Sequence, residues 1–232
     1  MQHAAPLLTL PNELLYEIVS YLEPIRATRH TYSDALADYR RAGENGRRVR
    51  TLWALSQASL RLNAIATPSL YKNFIARQSR QAVAKVRRFL RTLIQRPDLA
   101  ARVTYLEHTL GPSDYMLDGG VVVDTHDADC WSRDERLARL VGGLARARFG
   151  RMAWGVACRR APDETHLLVL MACLPNLEVV GTALVRLAVP REVAAARGMF
   201  GESSWRVLYA PLAREGGCLE KLREVVLVRD GD

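Results

Sequence analysis

The sequence predicts a chain of mixed α+β or α/β class. A small helical module occupies residues 1–75, and an α/β region with a mainly parallel sheet occupies 76–232. Three observations predict this. Two blocks near the N-terminus, 8–22 and 51–74, carry apolar residues at helical period. Beyond Phe74, helical stripes alternate with short strand-like runs, the pattern of helices covering a parallel sheet. Three turn-to-strand passages in that later region also share a leucine-anchored shape, two of them with the same spacing.

In the first block Pro11 is preset for a helical first turn, Asn12 is a competent cap, and Glu13 suits the positive end of the helix dipole. Leu14, Leu15, Ile18, Val19 and Leu22 then fall at i, i+1, i+4, i+5 and i+8, one broad apolar stripe. Residues 23–50 separate the blocks. They open on Glu23-Pro24 and contain Ala42-Gly43-Glu44-Asn45-Gly46, a loop signal. Between those points Asp34 to Arg41 predicts a short helix with Leu36 and Tyr39 turned inward. The second block predicts two more short helices. One passes through Leu52 and Leu55, the other through Leu60, Leu62 and Ile65 until Thr67-Pro68 stops it. Burying one Leu or Ile fully is worth roughly 1.5–3 kcal/mol. Three helices this short cannot enclose every apolar stripe, so the surplus predicts a partner surface.

This pattern resembles the F-box, most closely in the wording found in filamentous fungi. The resemblance rests on Leu10-Pro11, on Glu13-Leu14-Leu15 with Ile18-Val19-Ser20-Tyr21-Leu22, and on Leu52-Trp53-Ala54-Leu55 and Leu62-Asn63-Ala64-Ile65-Ala66. It covers about a quarter of the chain, with order, spacing and helix phase in agreement. Two departures stand out. Ser59 and Asn63 occupy positions where the family often has Cys and Trp, and the 28 residues from Glu23 to Arg50 replace a short turn. The resemblance implies a non-catalytic adaptor without cofactor, the substrate-recognition subunit of a Skp–cullin–F-box ubiquitin ligase. In that family the helical module docks on a Skp-type adaptor, and the region behind it holds the target protein. Carried over by position, the docking residues are Leu10, Pro11, Leu14, Ile18, Leu22, Leu52 and Leu55.

Behind Phe74, Val83, Val86, Phe89, Leu90, Leu93 and Ile94 predict a helix that stops at Arg96-Pro97. Arg102 to Glu107 reads as a strand anchored by Val103 and Leu106, followed by a loop at Gly111-Pro112-Ser113-Asp114. Ser132 and Glu135 form a capping box for a helix through Leu137, Leu140, Val141 and Leu144. Met152, Trp154, Val156 and Cys158 alternate as a strand does. Pro162-Asp163-Glu164 opens a helix through Leu167, Leu168, Leu170 and Met171, and a turn and strand follow to Val180. Ser203-Ser204 opens another helix around Trp205 and Leu208, and the run from Leu219 to Leu227 closes the pattern. Leu174-x-x-Leu177-x-x-Val180 matches Leu219-x-x-Leu222-x-x-Val225, and Leu99-x-x-x-Val103-x-x-Leu106 is a looser copy. Such helix–strand units resemble irregular leucine-rich repeats, with another open α/β sheet as the alternative. Arg229-Asp230-Gly231-Asp232 follow the last run, so either this charged tail guards the sheet edge or the sheet ends differently.

The net charge is +8, unevenly spread. Arg26 to Arg102 holds 17 Lys+Arg and 4 Asp+Glu, a net of +13, and the remainder carries −5. A basic nucleic-acid-binding module centred on 26–102 is the alternative this suggests. Against it, aromatic side chains are not interleaved as stacking platforms would be, and no zinc-finger or basic-zipper pattern occurs. Arg77, Arg80, Lys85, Arg87, Arg88, Arg91 and Arg96 read as the wet face of an amphipathic helix or as a grip for phosphates. The longest uncharged runs, such as His166 to Leu177, span 12 residues against the roughly 20 of a membrane helix. No basic run precedes an apolar stretch at the N-terminus, and Cys130, Cys158, Cys173 and Cys218 include no Cys-x-x-Cys pair. These features predict a soluble intracellular protein, cytoplasmic or nuclear, with reduced thiols.

No nucleophile elbow, phosphate-binding Gly-Lys loop or His-Glu-x-x-His occurs. The sharpest enzymatic candidate is Asp124 with His126, two apart after an apolar run, which suits a divalent metal only with further ligands from elsewhere. Asp114, Asp118, Asp127 and Asp129 surround them as a solvated acidic loop.

Overall fold

The computed structural model describes residues 6–27, 35–77, 82–109, 162–183 and 221–228, with single positions at 139, 141 and 143. Helices occupy the N-terminal part and a small parallel sheet follows. Contacts divide the chain into two compact units, Met1–Phe74 and Ile75–Asp232.

In the first unit a 3-10 turn, Pro6–Thr9, leads into helices α1 (Asn12–Tyr21), α2 (Ala35–Ala58) and α3 (Leu60–Lys72). Leu15, Val19, Leu52, Leu62, Ile65 and Ala66 form its buried core, with Leu7, Leu10, Leu22, Leu55 and Leu70 packed against them. The start of α1 differs from the sequence reading. Pro11 takes the cap position and makes no side-chain bond, while Asn12 lies inside the helix. The Asn12 Oδ1 instead accepts from Arg61 Nε at 2.9 Å.

Helix α2 runs unbroken through Ala42–Gly46, where the residues signal a loop. Two glycines cost a helix about 1 kcal/mol each. Side chains on either side of them offset that cost. Asn45 Oδ1 accepts from the Ile25 backbone N–H at 2.7 Å, and its Nδ2 donates to the Ile25 carbonyl at 3.0 Å. Arg41 donates to the same carbonyl at 3.2 Å and to Asp38 at 2.8 Å. Glu44 accepts from Arg47 at 2.6 Å and from Arg48 at 2.9 Å, the i+3 and i+4 pairings of a helix surface. Arg41 and Asn45 therefore take the inward positions. Leu36 and Tyr39 fall on the other side of the helix and are 57% and 78% exposed, contrary to the inward packing their pattern suggests.

Helix α3 is capped by Ser59, whose hydroxyl accepts from Leu62 N–H at 3.1 Å. It continues past Pro68 to Lys72. Proline removes only one backbone bond. Burial of Ile65 and Ala66 on one side of it, and the bonds of Ser69 and Lys72 to the Glu23 carboxylate on the other, hold both halves in line.

The second unit contains helices α4 (Ala82–Gln95), α5 (Pro97–Ala100) and α6 (Pro162–Cys173). Strands β1 (Asn73–Ala76), β2 (Tyr105–His108), β3 (Val179–Ala183) and β4 (Glu224–Val228) form one sheet in the order β1-β2-β3-β4. β3 is parallel to both β2 and β4. Val83, Val86, Leu90 and Leu93 bury the inner face of α4 at the spacing its sequence sets. β2 begins three residues later than the sequence reading, because Arg102 N–H and Val103 N–H close a turn onto the Leu99 and Ala100 carbonyls.

The three leucine-spaced passages lie side by side. Leu106 pairs with Val180, and Val180 with Val225. Leu99, Val103, Leu174 and Leu177, the preceding anchors, are all buried. The turns before the strands are linked as well. Glu178 N–H donates to Thr104 O at 2.9 Å, Arg223 N–H to Glu178 O at 2.8 Å, and Asn176 Nδ2 to Ala101 O at 2.6 Å. Lys221 Nζ completes the row by donating to Asn176 Oδ1 at 2.7 Å.

The expected helices from Ser132 and Ser203, the strand at Met152–Cys158 and the loop at Gly111–Asp114 lie outside the described residues, save positions 139, 141 and 143, which are helical.

Candidate docking surface

Neighbouring residues of α1 have opposite fates. Leu15 and Val19 face the core at 1% and 2% exposure. Leu14 and Ile18, one position earlier in each turn, stay 46% and 38% exposed, and Tyr21 is 70% exposed. At 100° per residue, Leu14, Ile18 and Tyr21 share one row within about 60° of arc, beside the buried row rather than opposite it. The apolar stripe of α1 is thus wider than the core it covers. All 11 large hydrophobic side chains left exposed among the described residues lie between Leu8 and Leu60, in the first unit. Scattered exposed hydrophobics are ordinary, whereas a row on one helix face makes a candidate contact surface.

The docking residues carried over from the F-box pattern separate into three groups. Pro11, Leu14 and Ile18 are exposed, and Leu10, Leu22 and Leu55 are half-buried against the core. Leu52 is fully buried and offers no atom to a partner, so its part is to support the helices from inside. Tyr21, Leu8, Trp53 and Leu60, exposed by 70%, 40%, 60% and 93%, are not among the docking residues carried over from the F-box pattern. Tyr21 was findable, being seven residues after Leu14 on the same helix face.

Ser59 and Asn63, at positions where the F-box pattern often has Cys and Trp, both close the turn from α2 to α3. Ser59 caps α3, and Asn63 Nδ2 donates to the Ser56 carbonyl at 2.7 Å. The segment behind α1 is strapped down too. Arg48 donates to Glu23 O at 3.0 Å, Asn73 Nδ2 to Pro24 O at 3.0 Å, and Arg26 Nε to Asn73 Oδ1 at 3.0 Å.

In the second unit, Lys85, Arg88 and Arg91 are exposed on α4, which contains no acidic residue. Glu107 is fully buried on β2. It accepts from Tyr105 Oη at 2.8 Å and lies 3.9 Å from Arg77 Nε. Asp124 and His126 lie outside the described residues, among which no group of three or more His, Cys, Asp or Glu is placed to hold a metal ion. Among the same residues no helix is long and apolar enough to cross a membrane.

Among the described residues, two carboxylates titrate below their ordinary range. A hydrogen bond from Arg47, helped by one from Arg48, holds Glu44 down, and one from Arg96 does the same for Asp98. Both are solvent-facing surface pairs rather than reactive groups.

Comparison with protein-family models, with curated proteins and with solved structures finds no match for this chain.

Proposed function

We propose that this protein is a non-catalytic adaptor, the substrate-recognition subunit of a Skp–cullin–F-box ubiquitin ligase. The observation that carries the reading is the exposed row Leu14, Ile18 and Tyr21 on α1, beside Leu15 and Val19 of the core. A helix that hides one side of its apolar stripe and leaves the other side wet is built for a helix-in-groove or helix-on-helix contact. Residues 8–22 and 51–74 resemble the F-box, a module of that kind whose partner in the family is a Skp-type adaptor. The region behind it is read as an irregular leucine-rich-repeat-like array that holds the target protein. The shared register of Leu106, Val180 and Val225 and the linked turns before them support that reading. Its task is positional: it raises the effective concentration of a target lysine near a charged ubiquitin-conjugating enzyme. Such a subunit works in the cytoplasm, the nucleus or both. The test is co-purification of the full chain with a recombinant fungal Skp-type adaptor. Elution of the two as a 1:1 complex is the expected result, and separate elution at micromolar concentration overturns the reading.

A second reading, a nucleic-acid-binding module, is favoured by the outer face of α4, where Lys85, Arg88 and Arg91 are exposed without an acidic neighbour in the helix. Phosphate contacts impose a steep salt dependence. Retention on duplex DNA at low salt that falls steeply between 50 and 200 mM salt, on the order expected for several phosphate contacts, would favour it over the adaptor.

A further inference from the structure

The chain entering α1 makes few bonds of its own. The 3-10 turn Pro6–Thr9 is followed by Leu10 and Pro11, and Leu10 N–H reaches Leu7 O only at 3.5 Å. A side chain from α3 holds this stretch. Arg61, in the first turn of α3, donates from Nη1 to Leu8 O at 2.7 Å, from Nη2 to Leu10 O at 2.6 Å, and from Nε to Asn12 Oδ1 at 2.9 Å. These bonds cross 49 to 53 residues of sequence. The planar guanidinium suits this work, because its fixed fork can meet three acceptors at once while a lysine ammonium acts as a point charge. Two of the acceptors are the carbonyls of Leu8 and Leu10, which flank the start of the docking row.

We propose that Arg61 is a positioning residue for partner docking: it orders Leu8 to Asn12 before the partner arrives, so that Leu10, Pro11 and Leu14 are presented as one surface. This rests on the adaptor reading above. A partner that meets an ordered segment does not have to order it on binding, and that saved cost appears as affinity. Arg61 is itself exposed, so its removal leaves the core of Leu15, Leu52, Leu62 and Ile65 untouched.

The experiment uses the full chain with a recombinant fungal Skp-type adaptor as the probe. Affinity is measured by calorimetry, and amide hydrogen exchange is measured across residues 6–15 of the unbound protein. Arg61→Ala is expected to weaken binding about tenfold, with faster exchange confined to 6–15. Arg61→Lys keeps the charge and the aliphatic stem, and is expected to give an intermediate loss of affinity. It also serves if the alanine variant fails to fold. Wild-type binding retained in Arg61→Ala, or unchanged exchange across 6–15, overturns the positioning role and leaves the adaptor reading standing. Weaker binding with unchanged exchange makes Arg61 a direct contact instead and also overturns it. Absence of binding by the wild-type chain removes the adaptor reading and this role together.

Discussion

Leu14 and Leu15 are adjacent in sequence, and the docking proposal requires that their replacement by aspartate have opposite consequences. Leu14 is 46% exposed at the third position of α1. In the free protein, Leu14→Asp gives up the part of the side chain that is buried, about 1 kcal/mol of the 1.5–3 kcal/mol that a fully buried leucine is worth. An aspartate in the first helical turn recovers some of this by meeting the positive end of the dipole, roughly 0.3–1 kcal/mol. The net change is at most about 1 kcal/mol, a shift of roughly 2–4 °C in Tm for a chain of this size. In the proposed complex the same substitution loses the apolar contact and strips water from the new carboxylate. That costs several kcal/mol, so binding should fall by about 100-fold or more. Leu15 is 1% exposed and packs with Leu52, Leu62 and Ile65. Leu15→Asp places a charge in that core and should cost more than about 4 kcal/mol, enough to unfold the first unit. Calorimetric titration with the Skp-type adaptor gives the affinities, and differential scanning calorimetry gives the stabilities. The reasoning is refuted if Leu14→Asp unfolds as Leu15→Asp does, since the row would then be core. It is equally refuted if Leu14→Asp folds and still binds within threefold of wild type.

Further tests address the fold. Gly43 and Gly46 lie within α2, and a Cβ added at either meets nothing within 4 Å. Gly43→Ala with Gly46→Ala should therefore stabilise the protein by about 1–2 kcal/mol in chemical denaturation, and no gain would mean that this stretch is not helical. Tyr105→Phe removes the 2.8 Å bond to the buried Glu107 carboxylate and should cost about 1–3 kcal/mol. A Tm within 1 °C of wild type would show that Glu107 does not depend on that hydroxyl. Because Glu44 titrates below its ordinary value through its bonds to Arg47 and Arg48, the stability it lends α2 is present at neutral pH. That stability is lost as pH falls through the lowered value. Circular dichroism at 222 nm should show a small acid-side loss of helix that Glu44→Gln abolishes, and an unchanged acid profile in that variant would remove this role.

What was legible in the sequence follows the range of the forces involved. The helical stripe of α1 and the buried face of α4 are local periodicities, and they read off directly. The parallel pairing of the sheet was also foreseeable, because helical and strand-like runs alternate beyond Phe74, the pattern of helices covering a parallel sheet. Period alone could not separate Leu14 from Leu15. Both belong to the stripe, and only the positions of α2 and α3 decide which side is covered. The errors fall where a distant polar group overrules a local signal. The glycines of α2 signal a loop, yet Arg41 and Asn45 bind Ile25, 16 and 20 residues away, and keep the helix whole. Pro68 signals a stop, yet Glu23 holds Ser69 and Lys72 beyond it. Arg61 was one basic residue among the 17 between Arg26 and Arg102, with nothing local to mark it.

These long-range bonds share a location, and the location bears on function. Arg61 grips the chain just before α1, and Arg48, Ser69 and Lys72 grip Glu23 just after it. Leu15 and Val19 anchor the middle. α1 is thus fixed at both ends and along one side, while Leu14, Ile18 and Tyr21 are left outward. The proposed docking accounts for an apolar row held rigid in water, because burial of that row on a partner is favourable. On the proposed docking, the polar bonds that fix α1 would spare the partner the entropy of ordering the surface it binds.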